Sequence, residues 1–184
     1  KWTDRVKGEI YRPFVFVPKV TANFENPLYI FSDDAPKPIR ISVKGNQENL
    51  SGHIKLKLPA GWQSIPDALP YHIKQKNGEQ VLVFKVSPSK SESTGKIEIE
   101  NKYSLVEIAY DHIQTQTLLP KASAKVVRLN VAIKGKKIGY IKGAGDEVPK
   151  ALEQLGYQVV TLNENNLKND DLSQFDAIIT GMNI

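Results

Sequence analysis

An apolar strand-like run ends in Gly143-Ala144-Gly145-Asp146-Glu147-Val148, the outline of a loop that could cradle a nucleotide phosphate. The dinucleotide fingerprint needs three glycines: one for a tight turn, one for close approach of the pyrophosphate, one for packing of helix on strand. Gly143 and Gly145 fill the first two places, and Val148 stands in the third. Asp146 and Glu147 bring two carboxylates to the helix start, where they satisfy the helix dipole themselves and repel an anion. Asp146 therefore reads better as a helix N-cap, with Pro149 tolerated in a first turn that lacks intrahelical acceptors. Glu164 lies near the end of the next strand, where a ribose-binding acid would sit, but Asn and Glu are also plain loop residues. No Gly-Lys-Ser/Thr follows, so the loop is not a P-loop. Gly143, Gly145 and Asp146 remain the cofactor-binding candidates, outweighed by a corner that is simply capped.

The other chemistry-bearing residues are scattered. His53, His72 and His112 fall in neither an H-x-x-H nor an H-E-x-x-H spacing, and each reads as structural or exposed. Asp33-Asp34 is a carboxylate pair inside FSDDAPKP, a turn composition. There is no nucleophile elbow, and the absence of cysteine excludes thiol chemistry and disulfides. Trp62 and Tyr71, in LPAGWQSIPDALPYHI, would serve as substrate-binding residues if they formed an aromatic platform for a sugar face; the favoured alternative makes Trp62 a core anchor after the Pro-Ala-Gly turn.

The elements that must hold these residues have two grammars. From Val15 to about Val131 the period is two. Ile39, Ile41 and Val43 alternate with Arg40, Ser42 and Lys44, and Ile54, Leu56 and Leu58 repeat the pattern. Further strands are predicted at 80–86, 95–100, 105–111, 115–119 and 125–131, separated by polar turns. Asn77-Gly78 predicts a type I′ hairpin. Pro18, Pro27, Pro36 and Pro38 place the early strands at edges or bends. The expectation is an immunoglobulin-like antiparallel β-sandwich over residues 1–133.

Near Gly135 the pattern changes to strand, helix, strand, polar connection, strand. Val148, Ala151, Leu152 and Leu155 make an apolar helical stripe that Gly156 ends. YQVVTL and FDAIITG are near-continuous apolar strands, as expected where both faces of a sheet are covered. Residues 134–184 therefore read as the first β-α-β-β part of a parallel flavodoxin-like (amidotransferase-like) α/β domain, and the chain as a piece of a longer protein cut inside that domain.

The formal charge of +5 comes from the first part: residues 1–133 hold 19 Lys/Arg against 13 Asp/Glu, and residues 134–184 hold 6 against 7. Most of these lysines alternate along strands, as on a solvated sheet face, so no nucleic-acid partner is expected. No apolar run is long enough to span a bilayer.

LKLPAGWQSIP, set among alternating strands, resembles a small β-sandwich domain appended to bacterial secreted glycan-processing enzymes, including some alpha-galactosidases. The join from Ala109 through the Gly143 loop to Val159 resembles the C-terminal region of large PIG-L-type (LmbE-like) deacetylases, in which a sandwich precedes a flavodoxin-like or amidotransferase-like domain. The resemblance implies a parent that is a zinc-dependent hydrolase of N-acetylglucosamine-type substrates, periplasmic or extracellular. In that family a His-Pro-Asp-Asp segment and a later His-x-x-His supply zinc ligands and base. Here Asp33-Asp34 follows Phe31-Ser32, so no catalytic or metal-binding residue carries over. The chain is expected to be a non-catalytic accessory segment without a cofactor of its own. Its partners would be other domains of the same polypeptide, and glycan if the Trp62 and Tyr71 platform exists.

Overall fold

The computed structural model describes residues 2–4 and 8–10 as backbone, and residues 14–110, 113–143, 147–169 and 171–181 with their side chains. In chain order the strands before Lys137 are β1 (Trp2–Asp4), β2 (Gly8–Ile10), β3 (Val20–Phe24), β4 (Leu28–Phe31), β5 (Lys37–Gly45), β6 (Leu50–Lys57), β7 (Gln63–Ile65), β8 (Ala68–Ile73), β9 (Glu79–Ser87), β10 (Ser93–Tyr103), β11 (Val106–Ile108), β12 (Gln116–Leu118) and β13 (Lys121–Arg128). Then come β14 (Lys137–Ile141), helix α1 (Val148–Leu155), β15 (Gln158–Leu162), helix α2 (Glu164–Asn169), a 3-10 turn (Leu172–Gln174) and β16 (Ala177–Thr180). The chain is mainly β.

Two sheets share one core. The first has the order β3-β5-β9-β7 and is antiparallel; the second has the order β4-β13-β10-β6-β8 and is antiparallel except for the parallel pair β4 and β13. The period-two pattern decides which faces meet. Ile39, Ile41, Val43, Leu82, Phe84 and Val86 point inward from the first sheet, and Phe31, Ile54, Leu56, Ile97 and Val126 from the second. Arg40, Lys55, Lys57 and Lys85 alternate with them and are exposed. β3 and β4 are sheet edges, as the early prolines predict. Pro38 lies in the interior strand β5, but β3 covers only Ile41 to Gly45, so no neighbour asks for the missing N–H on that side.

Two turn and strand expectations are corrected. Asn77-Gly78 does not close a type I′ hairpin: Asn77 has φ 64° but Gly78 is not left-handed, and Gly78 N–H donates to the Gln75 carbonyl at 3.0 Å. The turn joins β8 to β9, which belong to different sheets. From β3 to β10 every connection crosses from one sheet to the other. A local turn sets only the reversal; burying Tyr71 and Ile73 from one side and Leu82 and Phe84 from the other chooses the pairing. The strand expected at 125–131 is β13, shifted to Lys121–Arg128, because Ala122, Ala124 and Val126 continue the buried face while Leu129, Asn130 and Val131 are exposed. The strands expected at 105–111 and 115–119 shorten to β11 and β12, which pair only with each other. Asn23 ties this hairpin down, its Nδ2 donating to the Leu105 carbonyl and its Oδ1 accepting from Leu105 N–H, each at 3.2 Å.

Beyond an exposed connection, β14 pairs in parallel with β15 on one side and β16 on the other. Ile138, Tyr140 and Leu162 are buried. Gly156, at φ 107°, ends α1 as expected, with its N–H on the Glu153 carbonyl and Tyr157 N–H on that of Leu152. The apolar run of β16 is not covered on both faces: Ala177, Ile178 and Thr180 are exposed, because no described element packs over this edge strand. A second helix, α2, stands where a polar connection is expected. Asn163 and Asn166 exchange side-chain-to-backbone hydrogen bonds of 3.0 Å each way, a reciprocal cap that starts it.

Candidate functional site

Pro59, Ala60 and Gly61 turn the chain after β6, with Gly61 at φ 80° and Trp62 N–H bonded to the Pro59 carbonyl at 3.2 Å. The turn drives Trp62 into the core, where its ring stands edge-on to Phe31, centroids 5.0 Å apart at 88°. Its Nε1 donates to Ser93 Oγ at 3.2 Å, and Ser93 Oγ lies 2.6 Å from Ser89 Oγ. Trp62 is 5% exposed and Tyr71 8%. Neither offers a ring face to solvent, so the aromatic-platform geometry is not met; both side chains are anchors between the sheets.

The glycine corner is only partly described. Gly143 is buried two residues after the end of β14, while Gly145 and Asp146 lie outside the described residues, as does His112. The N-cap of α1 is Glu147 rather than Asp146, one residue later than expected, with Val148 and Pro149 opening the helix. Glu147 makes no side-chain cap bond; its carboxylate pairs with Lys150 at 2.9 Å, one turn on. Glu164 is the exposed first residue of α2, and Gly181 N–H is taken by the Ile141 carbonyl at 2.7 Å.

His53 and His72 lie exposed on the adjacent strands β6 and β8, but the register pairs His72 with Ser51 and His53 with Pro70 rather than with each other. Among the described residues no group of three His, Asp or Glu is placed to hold a metal ion. Nor is any described helix long and apolar enough to cross a membrane.

Asp33 and Asp34 do not act as a pair. Asp33 Oδ1 accepts from Ala35 N–H at 2.9 Å, an Asx turn, while Asp34 Oδ1 accepts from Arg128 Nη2 at 2.8 Å and Nε at 3.3 Å. Arg128 is buried at the end of β13, and its Nη1 also donates to the Leu129 carbonyl. It continues the buried face of an alternating strand, so only its charge distinguishes it in sequence.

The most built polar site is a junction that sequence reasoning missed. Gln154, on α1, reaches the free edge of β4: Oε1 accepts from Ile30 N–H at 2.7 Å, and Nε2 donates to the Leu28 carbonyl at 3.2 Å. Lys37 Nζ donates to the Ile30 carbonyl at 2.8 Å and to the Gln154 carbonyl, near the end of α1, where a cation also meets the helix dipole. The ammonium lies 5.5 Å from the Phe31 ring centroid. Burial pushes the Lys37 amine below the usual lysine range, partly offset by the field of Asp33. A lone Gln on a short helix carries no sequence signal for this role; its partner is an edge strand more than a hundred residues away.

No protein-family model matches the chain, and no curated protein matches it.

Proposed function

We propose that this chain is a non-catalytic positioning segment, an immunoglobulin-like sandwich that carries the opening strands of a flavodoxin-like (amidotransferase-like) unit and holds them in a fixed pose. The observation behind this reading is the Gln154 and Lys37 clasp on β4, which ties α1 to the sandwich edge through three hydrogen bonds, while a fourth joins Lys37 to the Ile30 carbonyl within the sandwich. The immunoglobulin-like assignment draws support from the two strand orders, with the successive strands β3 and β4 in different sheets and β4 paired in parallel with β13. The flavodoxin-like assignment draws support from the parallel order β15-β14-β16, second-first-third in sequence. The sequence resemblance extends the proposal to a parent: a multidomain, exported, zinc-dependent deacetylase of the PIG-L type, with this segment accessory to its catalytic domain.

The absence of cysteine makes the test clean. Spin labels on Lys85→Cys in the sandwich and Lys168→Cys on α2 should give one narrow distance distribution, broadened by Gln154→Ala with Lys37→Met. A broad distribution in the parent chain would overturn the positioning role. Deacetylation of an N-acetylglucosamine substrate by this chain alone would overturn the accessory assignment.

A further inference from the structure

At its far end β10 breaks register. Glu98 faces Ser123 of β13, yet Tyr103 faces Lys121, so five steps along β10 are matched by two along its partner. Pairing with β6 is recorded only at Glu98 and Ile99. Within the bulge Asn101 takes a left-handed φ of 53°, a conformation Asn tolerates better than most residues. The displaced segment opens a recess of about 620 Å³ that Lys57 and Lys121 close from the neighbouring strands. This is within the size range of small-ligand sites.

The chemistry of the walls is specific. Three lysines, Lys57, Lys102 and Lys121, line the recess together with two acidic residues, Glu98 and Glu100. Glu98 is held by Lys96 at 3.2 Å, whereas Lys57, Lys102, Lys121 and Glu100 have no side-chain hydrogen bond or ion pair among the described residues. Lysines on a flat sheet face would be equally unpaired, but here the bulge folds them around a concavity. Tyr103, 45% exposed, forms one wall and continues into an apolar strip with Phe16, Val17 and Leu119. Cations for one anionic group, Glu100 and the Asn101 amide for hydroxyls, and an aromatic ring for an apolar face together describe a hexuronate sugar. A phosphate polymer fits less well, because Glu100 would face its repeated charge.

We propose that this recess binds hexuronate units of an acidic polysaccharide, with Lys57, Lys102 and Lys121 on the carboxylate and Tyr103 under the ring. The inference does not depend on the positioning role proposed above. Calorimetric titration at low salt with tetragalacturonate and with a glucuronate-containing hyaluronan tetrasaccharide tests it. Saturable binding of at least one is expected, with at least tenfold weaker binding of fully methyl-esterified tetragalacturonate. Lys102→Gln with Lys121→Gln should weaken binding at least tenfold while the thermal unfolding midpoint is retained, and Tyr103→Ala should weaken it without changing the binding of inorganic sulfate. Binding of neither acid, equal binding of the ester, or unchanged affinity in the lysine variant would overturn the proposal. So would sulfate competing as well as the sugars while Tyr103→Ala has no effect, since the recess would then be a plain anion site.

Discussion

The side-chain amide of Gln154 stands against Ile30 as a neighbouring strand would, accepting from its N–H at 2.7 Å while donating to the Leu28 carbonyl two residues back. Residues two apart in a strand point their backbone groups to the same side, so one primary amide can imitate the donor and acceptor spacing of a ladder. Lys37 takes the remaining Ile30 carbonyl on that side. The free edge of β4, otherwise a template for another chain, is thereby closed by a side chain from α1.

Replacing Gln154 by Ala leaves a donor and an acceptor without their partner. Because the site is half-buried and water can enter, the expected cost is about 1–2 kcal/mol. The specific readout is hydrogen exchange at the Ile30 amide, which should accelerate more than that of Tyr29. Gln154→Glu keeps the acceptor but turns the donor into a carboxylate oxygen facing the Leu28 carbonyl, so it should not restore stability. Unchanged protection at Ile30 in both variants would rule out the clasp.

Asp176 performs a comparable service at the start of the parallel sheet. Its Oδ2 accepts from Lys136 N–H at 2.7 Å and Lys137 N–H at 2.9 Å, and these backbone bonds hold the carboxyl below the usual carboxylate range. A depressed folded pKa means that the contribution is fully present above the unfolded value, about 3.9, and is lost as pH falls through the lower folded value. Urea unfolding of the parent chain and Asp176→Asn should show the parent more stable at pH 7, with the gap closing below about pH 4. A gap independent of pH would assign the effect to something other than the charge.

Period-two alternation made the interior legible: Ile39, Ile41, Val43, Leu82, Phe84 and Val86 are where their spacing puts them. The helical stripe and Gly156 likewise located α1. Pairing was not legible, because Asn77-Gly78 looks the same whether it joins two strands of one sheet or crosses between two, and only the sum of buried faces decides. The clasp was hidden for a related reason. Gln154 and Arg128 owe their roles to groups that chain topology brings near, and no local pattern encodes those.

Arg128 and Asp34 make an asymmetric pair, with the arginine side chain 6% exposed and the aspartate 73%. Removing the exposed partner strands a buried guanidinium, whereas removing the guanidinium releases an aspartate to water. Asp34→Ala should therefore cost about 1–2 kcal/mol, discounted from a fully buried pair because water can replace the carboxylate, and Arg128→Met should cost less. Chemical denaturation of the two single variants decides it, and the reverse order would mean that the methylene packing of Arg128 outweighs its charge.

Trp62 joins the Pro59 turn to the core by packing on Phe31 and by one hydrogen bond to Ser93, and the two contributions separate by substitution. Trp62→Ala should cost about 3–5 kcal/mol, the loss of a buried aromatic plus the cavity it leaves. Ser93→Ala removes the acceptor of the indole N–H together with the hydroxyl partner of Ser89, and should cost about 1–3 kcal/mol. Trp62→Phe removes the need for that acceptor, so Ser93→Ala added to Trp62→Phe should cost less than it does in the parent chain. The measurement is a double-mutant cycle by urea unfolding. Additive effects would mean that Ser93 serves the Ser89 hydroxyl rather than the indole.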